Sequence, residues 1–162
     1  MQVDKLTGVE LQYEVERLLA RYVECIDDDR LEEWPDFFVD DCSYKVIPRE
    51  NEDRGLPIAV IDCDSRGMLL DRIVSLRNAN VYPEHVYRHL VSNVHVKGIE
   101  SGEVVVQSNY AVLQTRNDGV TKIYNAGRYL DRIVVVDGGL RFKQKRVVFD
   151  TNRIETLMVR PI

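Results

Sequence analysis

Histidine, cysteine and long apolar runs are all scarce in this sequence, and each scarcity narrows what the chain can be. Histidine occurs three times in 162 residues, as His85, His89 and His95. Cysteine also occurs three times, as Cys25, Cys42 and Cys63, with no C-x-x-C pair. An odd, dispersed set of thiols builds neither a zinc ribbon nor a disulfide framework, and it suits buried cysteines in a reducing cytoplasm. No apolar run approaches the ~20 residues a membrane-spanning helix needs. The opening MQVDKLTGVE lacks the basic start and apolar stretch of a signal peptide, so a cytoplasmic protein is expected. Positive charge is not in excess either. Asp and Glu number 27 against 22 Lys and Arg, a net charge of −5, which leaves no footprint for nucleic acid or an anionic membrane. Dinucleotide-binding, nucleophile-elbow and phosphate-loop glycine motifs are absent.

What is present is the composition of an ordinary globular protein, 44% apolar and 30% charged. The length predicts one domain over residues 1–162. Thr7 and Glu10 have capping-box spacing, with Leu6 and Leu11 placed as a hydrophobic staple. Behind them Leu11, Val15, Leu18, Leu19, Tyr22 and Ile26 recur at helical spacing, predicting an amphipathic helix of about four turns. Asp27, Asp28 and Asp29 oppose the macrodipole and should end it as a solvated helix terminus. A short second helix should carry Trp34, Phe37 and Phe38, with Pro35 in its first turn. A third is predicted from about Arg66 to Arg77, capped by Asp64 or Ser65 and burying Leu69, Ile73 and Leu76.

From about residue 87 the period changes to two. Ser101-Gly102, Asn117-Asp118-Gly119 and Asp137-Gly138-Gly139 divide four long strand-like runs, an antiparallel meander. Gly127 marks a bulge or bend in the third run. In the fourth, Leu140 and Phe142 share one parity and Val147 and Phe149 the other, so its buried face should switch partway. Helices followed by a long curved sheet predict an α+β cone, with a cavity between the two layers.

The stretch HVYRHLVSNVHV holds all three histidines and invites a metal. On a strand, His89 and His95 share a face with Val91, Asn93 and Lys97, yet they stand roughly 20 Å apart at ~3.3 Å per residue. Nitrogens on one metal must lie within about 4 Å of each other. His85 and His89 have the i, i+4 spacing of a helical zinc motif, but Pro83 argues against helix and Val86 stands where H-E-x-x-H needs its glutamate. The spacing therefore points away from a metal site. His89 paired with one of the aspartates could act as acid and base in a cavity, or be a hydrogen-bonded strand histidine. Its strand face, His89, Asn93 and His95 with Val91, suits a subunit contact. The local basic cluster Arg141, Lys143, Lys145 and Arg146 reads as a solvated or partner-facing surface, with Arg141, Lys143 and Lys145 on one side. Tyr13, Tyr22, Trp34, Phe37 and Phe38 could line a pocket or form core.

Four longer segments carry a resemblance. EEWPDFFVDDCSYKVIPREN, GLPIAVIDCDSRGMLLDRIVSLRNANVY, YRHLVSNVHV and YNAGRYLDRIVVVDGGLRFKQKRVVFDTNRI are similar to the small (β) subunit of aromatic-ring-hydroxylating Rieske oxygenases, from about Tyr13 to Ile162. The E-x-W-P-x-F-F and D-S-x-x-M-L-x-D-R-I words look like those of oxygenases for salicylate, terephthalate and anthranilate. The resemblance implies an NTF2-like (cystatin-like) cone. It also implies a mainly structural subunit that carries neither catalytic residues nor cofactor. The Rieske [2Fe–2S] centre and mononuclear Fe(II) would sit in a large (α) subunit, supplied from NAD(P)H through a reductase. Three large and three small subunits would assemble around a trimer of the small ones. The competing expectation, from the same fold, is a stand-alone isomerase, dehydratase or small-ligand-binding protein.

Overall fold

A computed structural model describes residues 8–155 and 157–162. Thr7 and Leu6 lie outside the described residues, and with them the predicted capping box and staple. Helix α1 runs from Gly8 to Asp27, longer than the four turns expected, and buries Leu11, Val15, Leu18, Leu19, Tyr22, Cys25 and Ile26. A 3-10 turn, Trp34–Phe37, has Pro35 in its first turn and buries Trp34 and Pro35. Strand β1 (Phe38–Pro48), a short helix α2 (Arg49–Asp53) and strand β2 (Ile61–Cys63) follow. Helix α3 (Arg66–Asn78) begins at Ser65, whose side chain accepts from the Met68 N–H, and buries Leu69, Ile73 and Leu76 as expected. Strands β3 (His85–Glu100), β4 (Glu103–Arg116), β5 (Thr121–Val136) and β6 (Gly139–Phe149) form the meander. Its turns carry left-handed residues at Ser101, Gly102, Gly119, Asp137 and Gly138.

The sheet has six strands in the order β2-β1-β6-β5-β4-β3, where the sequence predicted four. The additions are β2 and β1, which pair antiparallel with each other, and β1 lies parallel to β6. In β1 two acids, Asp40 and Asp41, mask the alternation that Cys42, Tyr44 and Val46 resume further along. Strands are thus interleaved with helices rather than following them.

The sheet wraps α1. One end is closed by aromatic rings meeting edge to face, Tyr22 with Phe142 at 5.3 Å and Trp34 with Tyr44 at 5.0 Å between centroids. Trp34 and Phe38 are buried while Phe37 is half-buried, so the predicted trio divides. Tyr13 is 58% exposed and belongs to neither pocket nor core. Phe38→Ala should cost ~3–5 kcal/mol through the cavity it leaves. Phe37→Ala should cost clearly less, and urea unfolding of the two variants measures the gap.

Two bulges decide which side chains point inward. In β3 the register slips between Ser92 and His95, and Asn93 is left-handed at φ 53°. Before it His85, Tyr87 and His89 are buried; after it Val94 and Val96 turn inward and His95 is exposed. In β6 the slip falls between Phe142 and Gln144, so Leu140 and Phe142 face inward on one side of Lys143, and Lys145, Val147 and Phe149 on the other. That is the predicted face switch. Gly127 is not itself bulged. It lets two strands close up, because a Cβ there would stand 2.0 Å from the Val148 carbonyl oxygen.

Strand β3 ends the sheet, and α1 covers its open edge with side chains. The Gln12 amide donates to the Val94 carbonyl at 2.8 Å and accepts from the Val96 N–H at 3.4 Å. Asp27 accepts from the His89 N–H at 2.8 Å. An edge strand of 16 residues is otherwise a template for pairing with another chain.

Candidate functional site

The β3 bulge takes the predicted histidine face apart. His89 and His95 were expected on one face; His89 is buried inside the cone and His95 lies outside. His89 donates through Nδ1 to Asp27 Oδ1 at 2.6 Å, while the other Asp27 oxygen holds the His89 main chain. Asp27 is therefore no solvated helix end, and its side chain is 5% exposed. Asp29 is likewise engaged, by Arg77 at 2.9 Å and Arg160 at 3.5 Å. Asp29 is thus met by arginines 48 and 131 residues away in sequence, whereas Asp28 faces Arg30 at 3.8 Å.

His85 donates from Nδ1 to the Pro83 carbonyl at 2.8 Å, and burial pushes its pKa down. It borders an outward groove of about 680 Å³ with Asp27, Asp28, Arg116 and Arg160. His89 does not line that groove, so the Asp27–His89 pair meets it only at its carboxylate end. The Nε2 atoms of His85 and His89 are buried and have no hydrogen-bond partner among the described residues. Among those residues no three His, Cys, Asp or Glu side chains come together in a set that could hold a metal.

A second pair was not foreseen. Lys145, expected on the surface beside Arg141 and Lys143, is turned inward by the β6 bulge and is wholly buried. Its Nζ lies 3.3 and 3.2 Å from the two oxygens of Asp131, and 3.6 Å from the centre of the Tyr129 ring. Tyr22 and Phe142 complete an aromatic cage at 4.6 Å each. Burial pushes the Asp131 carboxyl up to about 6, against the lowering effect of Lys145, and burial pushes Lys145 down. Parity alone would have found this residue, had the switch been carried past Lys143.

Two of the cluster's surface basics, Lys143 and Arg146, are matched by this chain's own acids. Lys143 holds the Asp41 main-chain oxygen at 3.0 Å and also pairs with the Asp41 carboxylate. Arg146 meets Glu52 at 2.7 Å. Arg141 and Lys143 share an outward groove of about 540 Å³ with Asp40, Asp41 and Glu103, so no net positive patch results. Asn93 and His95 are exposed.

The last residues run back into the cone. Met158, Val159 and Ile162 are buried in the core. The Ile162 oxygen accepts from Tyr22 at 3.1 Å and Tyr44 at 3.0 Å, and its N–H donates to the Tyr44 hydroxyl at 3.0 Å. Tail and rings thus meet inside the core. Cys25, Cys42 and Cys63 are free and buried, and burial raises all three thiols.

Residues 21–156 match the family described as "Ring hydroxylating beta subunit". The chain is 47% identical to the anthranilate 1,2-dioxygenase small subunit of Burkholderia cepacia, over 93% of each chain. It is 36% identical to a terephthalate 1,2-dioxygenase terminal oxygenase β subunit of a Comamonas species, over 88% of this chain and 93% of that one. Among solved structures it superposes with a TM-score of 0.85 on the β subunit of a candidate aromatic-ring-hydroxylating dioxygenase from Novosphingobium aromaticivorans. That match has 49% identity and covers 94% of this chain and 97% of the other.

Proposed function

The chain belongs to the ring hydroxylating beta subunit family, and from that premise we propose that it serves as the small, mainly structural subunit of a Rieske oxygenase acting on an aromatic acid. One observation supports a structural role above the rest: the C-terminal Met158, Val159 and Ile162 and the rings of Tyr22, Tyr44 and Phe142 are buried together in the core of the NTF2-like cone. A free-standing isomerase or dehydratase of this fold needs its acid and base to face a substrate-sized space. Here Asp131–Lys145 is sealed by rings and His89 is enclosed behind Asp27.

The irons are assigned to the large subunit. A Rieske [2Fe–2S] centre takes paired Cys and His ligands, and the mononuclear iron takes two histidines and a carboxylate. The donors of this chain do not fit either set, because its described His, Cys, Asp and Glu side chains make no cluster of three. Electrons would come from NAD(P)H through a reductase to the large subunit. The substrate class follows the relatives, whose names specify anthranilate and terephthalate, both aromatic carboxylates.

We further propose three large and three small subunits built on a small-subunit trimer. Of the predicted contact residues, Asn93, His95, Arg141 and Lys143 keep a place on the outside; His89 and Lys145 are withdrawn by their burial. The shared core supports reading residues 1–162 as one domain, and the free buried thiols favour the cytoplasm. No helix among the described residues is long and apolar enough to cross a membrane.

Co-expression with the large subunit from the same source tests the reading. The purified pair should hydroxylate an aromatic acid at the expense of NAD(P)H and O₂ when a reductase is added, with a mass by light scattering near three of each chain. The small chain alone should be inert and hold no stoichiometric iron. Stoichiometric iron in the isolated chain, lost in a His89→Ala/His95→Ala variant, would overturn it.

A further inference from the structure

Between β1 and β2 the chain leaves the sheet over residues 49–60, and none of those residues is buried. They comprise α2 and the turn after it, where Leu56 and Ile58 are 42% and 71% exposed. Within this excursion the Arg54, Gly55 and Leu56 N–H groups bond the Glu50, Glu52 and Asn51 carbonyls. The Asn51 amide also donates to the Ile58 carbonyl at 2.8 Å. The excursion thus has a shape of its own, but a helix of five residues is far too short to hold that shape unaided.

What ties it to the rest of the described chain is charge. Glu52 meets Arg146 at 2.7 Å, Asp53 meets Arg128 at 3.5 Å, and Arg49 meets Asp150 at 2.7 Å. The Val60 N–H, bonded to the Val46 carbonyl at 2.8 Å, marks the hinge where the excursion rejoins. Arg128 and Arg146 stand on the outer face of β5 and β6. The Nε atom of each is buried with no hydrogen-bond acceptor among the described residues. A segment with no buried apolar anchor, held by part-exposed ion pairs, lies at the low end of local stability. We propose that residues 49–60 form an electrostatic latch, which closes over Arg128 and Arg146 and opens as a unit. Closed, Glu52 and Asp53 neutralise the two guanidiniums; open, they leave two unmatched positive charges on the outer face of the sheet. The fold can thereby change the charge of one surface without disturbing its core, since nothing buried moves.

The test is hydrogen exchange of the isolated full chain. Salt shortens the screening length from ~10 Å at 0.1 M to ~3 Å at 1 M. Across that range exchange at Arg54, Gly55 and Leu56 should quicken together by roughly threefold or more, while amides of β4 and β5 keep their rates. Glu52→Gln should produce the same quickening at 0.1 M, and the swap Glu52→Arg/Arg146→Glu should return exchange toward wild type. Melting temperatures of the variants control for folding. Nitroxide labels on Arg54→Cys and Asn109→Cys give a second readout, the native thiols being buried. Opening broadens the distance between the labels in high salt, whereas melting of α2 in place leaves it narrow. Exchange indifferent to salt or to Glu52→Gln overturns the proposal. So does exchange at these amides no faster than in the sheet, or quickened exchange with an unchanged distance between the labels.

Discussion

Lys145→Met is expected to destabilise the chain by ~3–5 kcal/mol at neutral pH, since removing one partner of a buried pair strands the other charge. Asp131 has no water to fall back on: both side chains are wholly buried. The cost should shrink as pH falls. The Asp131 carboxyl stands at about 6 with Lys145 in place, and without the ammonium it rises further, so protonation removes the stranded charge. A second change makes the argument specific. Lys145→Met/Asp131→Leu replaces the pair by apolar groups of similar size and should regain most of the loss. Wild type itself has a sign to check. A carboxyl whose folded pKa lies above its ordinary 3.8 contributes stability while protonated, and that contribution fades as pH rises from about 4 through 6. The double variant should lack this slope. Denaturant unfolding of the three proteins from pH 4 to 8 supplies every comparison, and a double variant no more stable than Lys145→Met would sink the idea.

Gly127→Ala should be at least as damaging. Its Cβ would meet the Val148 carbonyl oxygen at 2.0 Å and the Phe149 Cα at 2.8 Å, both main-chain atoms of β6. No side-chain rotation relieves that, so β5 and β6 must part where Asp150 N–H still bonds the Ala126 carbonyl at 2.9 Å. The expected cost is at or beyond the upper end of the ~1–3 kcal/mol of ordinary overpacking. In a chain of this size that lowers the melting temperature by roughly 6–12 °C. Gly67→Ala is the control. A Cβ there would stand 3.8 Å from the Ser65 hydroxyl, and the residue sits in α3. It should be neutral or stabilise by up to ~1 kcal/mol.

These two positions show where the sequence could be read and where it could not. Explicit turns delimited the meander, and α3 was legible because its cap and its three buried residues lie within one short window. Gly127 could be singled out as unusual, but only the approach of β6 explains why no side chain fits. β1 went unread because its acids interrupt the alternation. Strict alternation failed at Asn93, where a single extra residue moves His95 outward, and the face switch read in β6 was not carried on to Lys145, which it turns inward. The Asp27–His89 contact joins residues 62 apart, beyond any local pattern. The family words, by contrast, were legible end to end, because they depend on residue identity rather than on which way each side chain points.

The side-chain seal along β3 also has a consequence in time. Gln12 must wait for Val94, 82 residues later in the chain. At ribosomal speeds of ~5–20 residues per second that delay is roughly 4–16 s. Through it the nascent α1 helix has its apolar stripe without the sheet that covers it. When β3 emerges, the helix and the strand edge become available to each other in one event, and docking removes an apolar surface and an open row of main-chain donors together. Newly made copies crowded on one message would compete for that same edge, so slower translation before residue 85 should raise aggregation and faster translation should lower it.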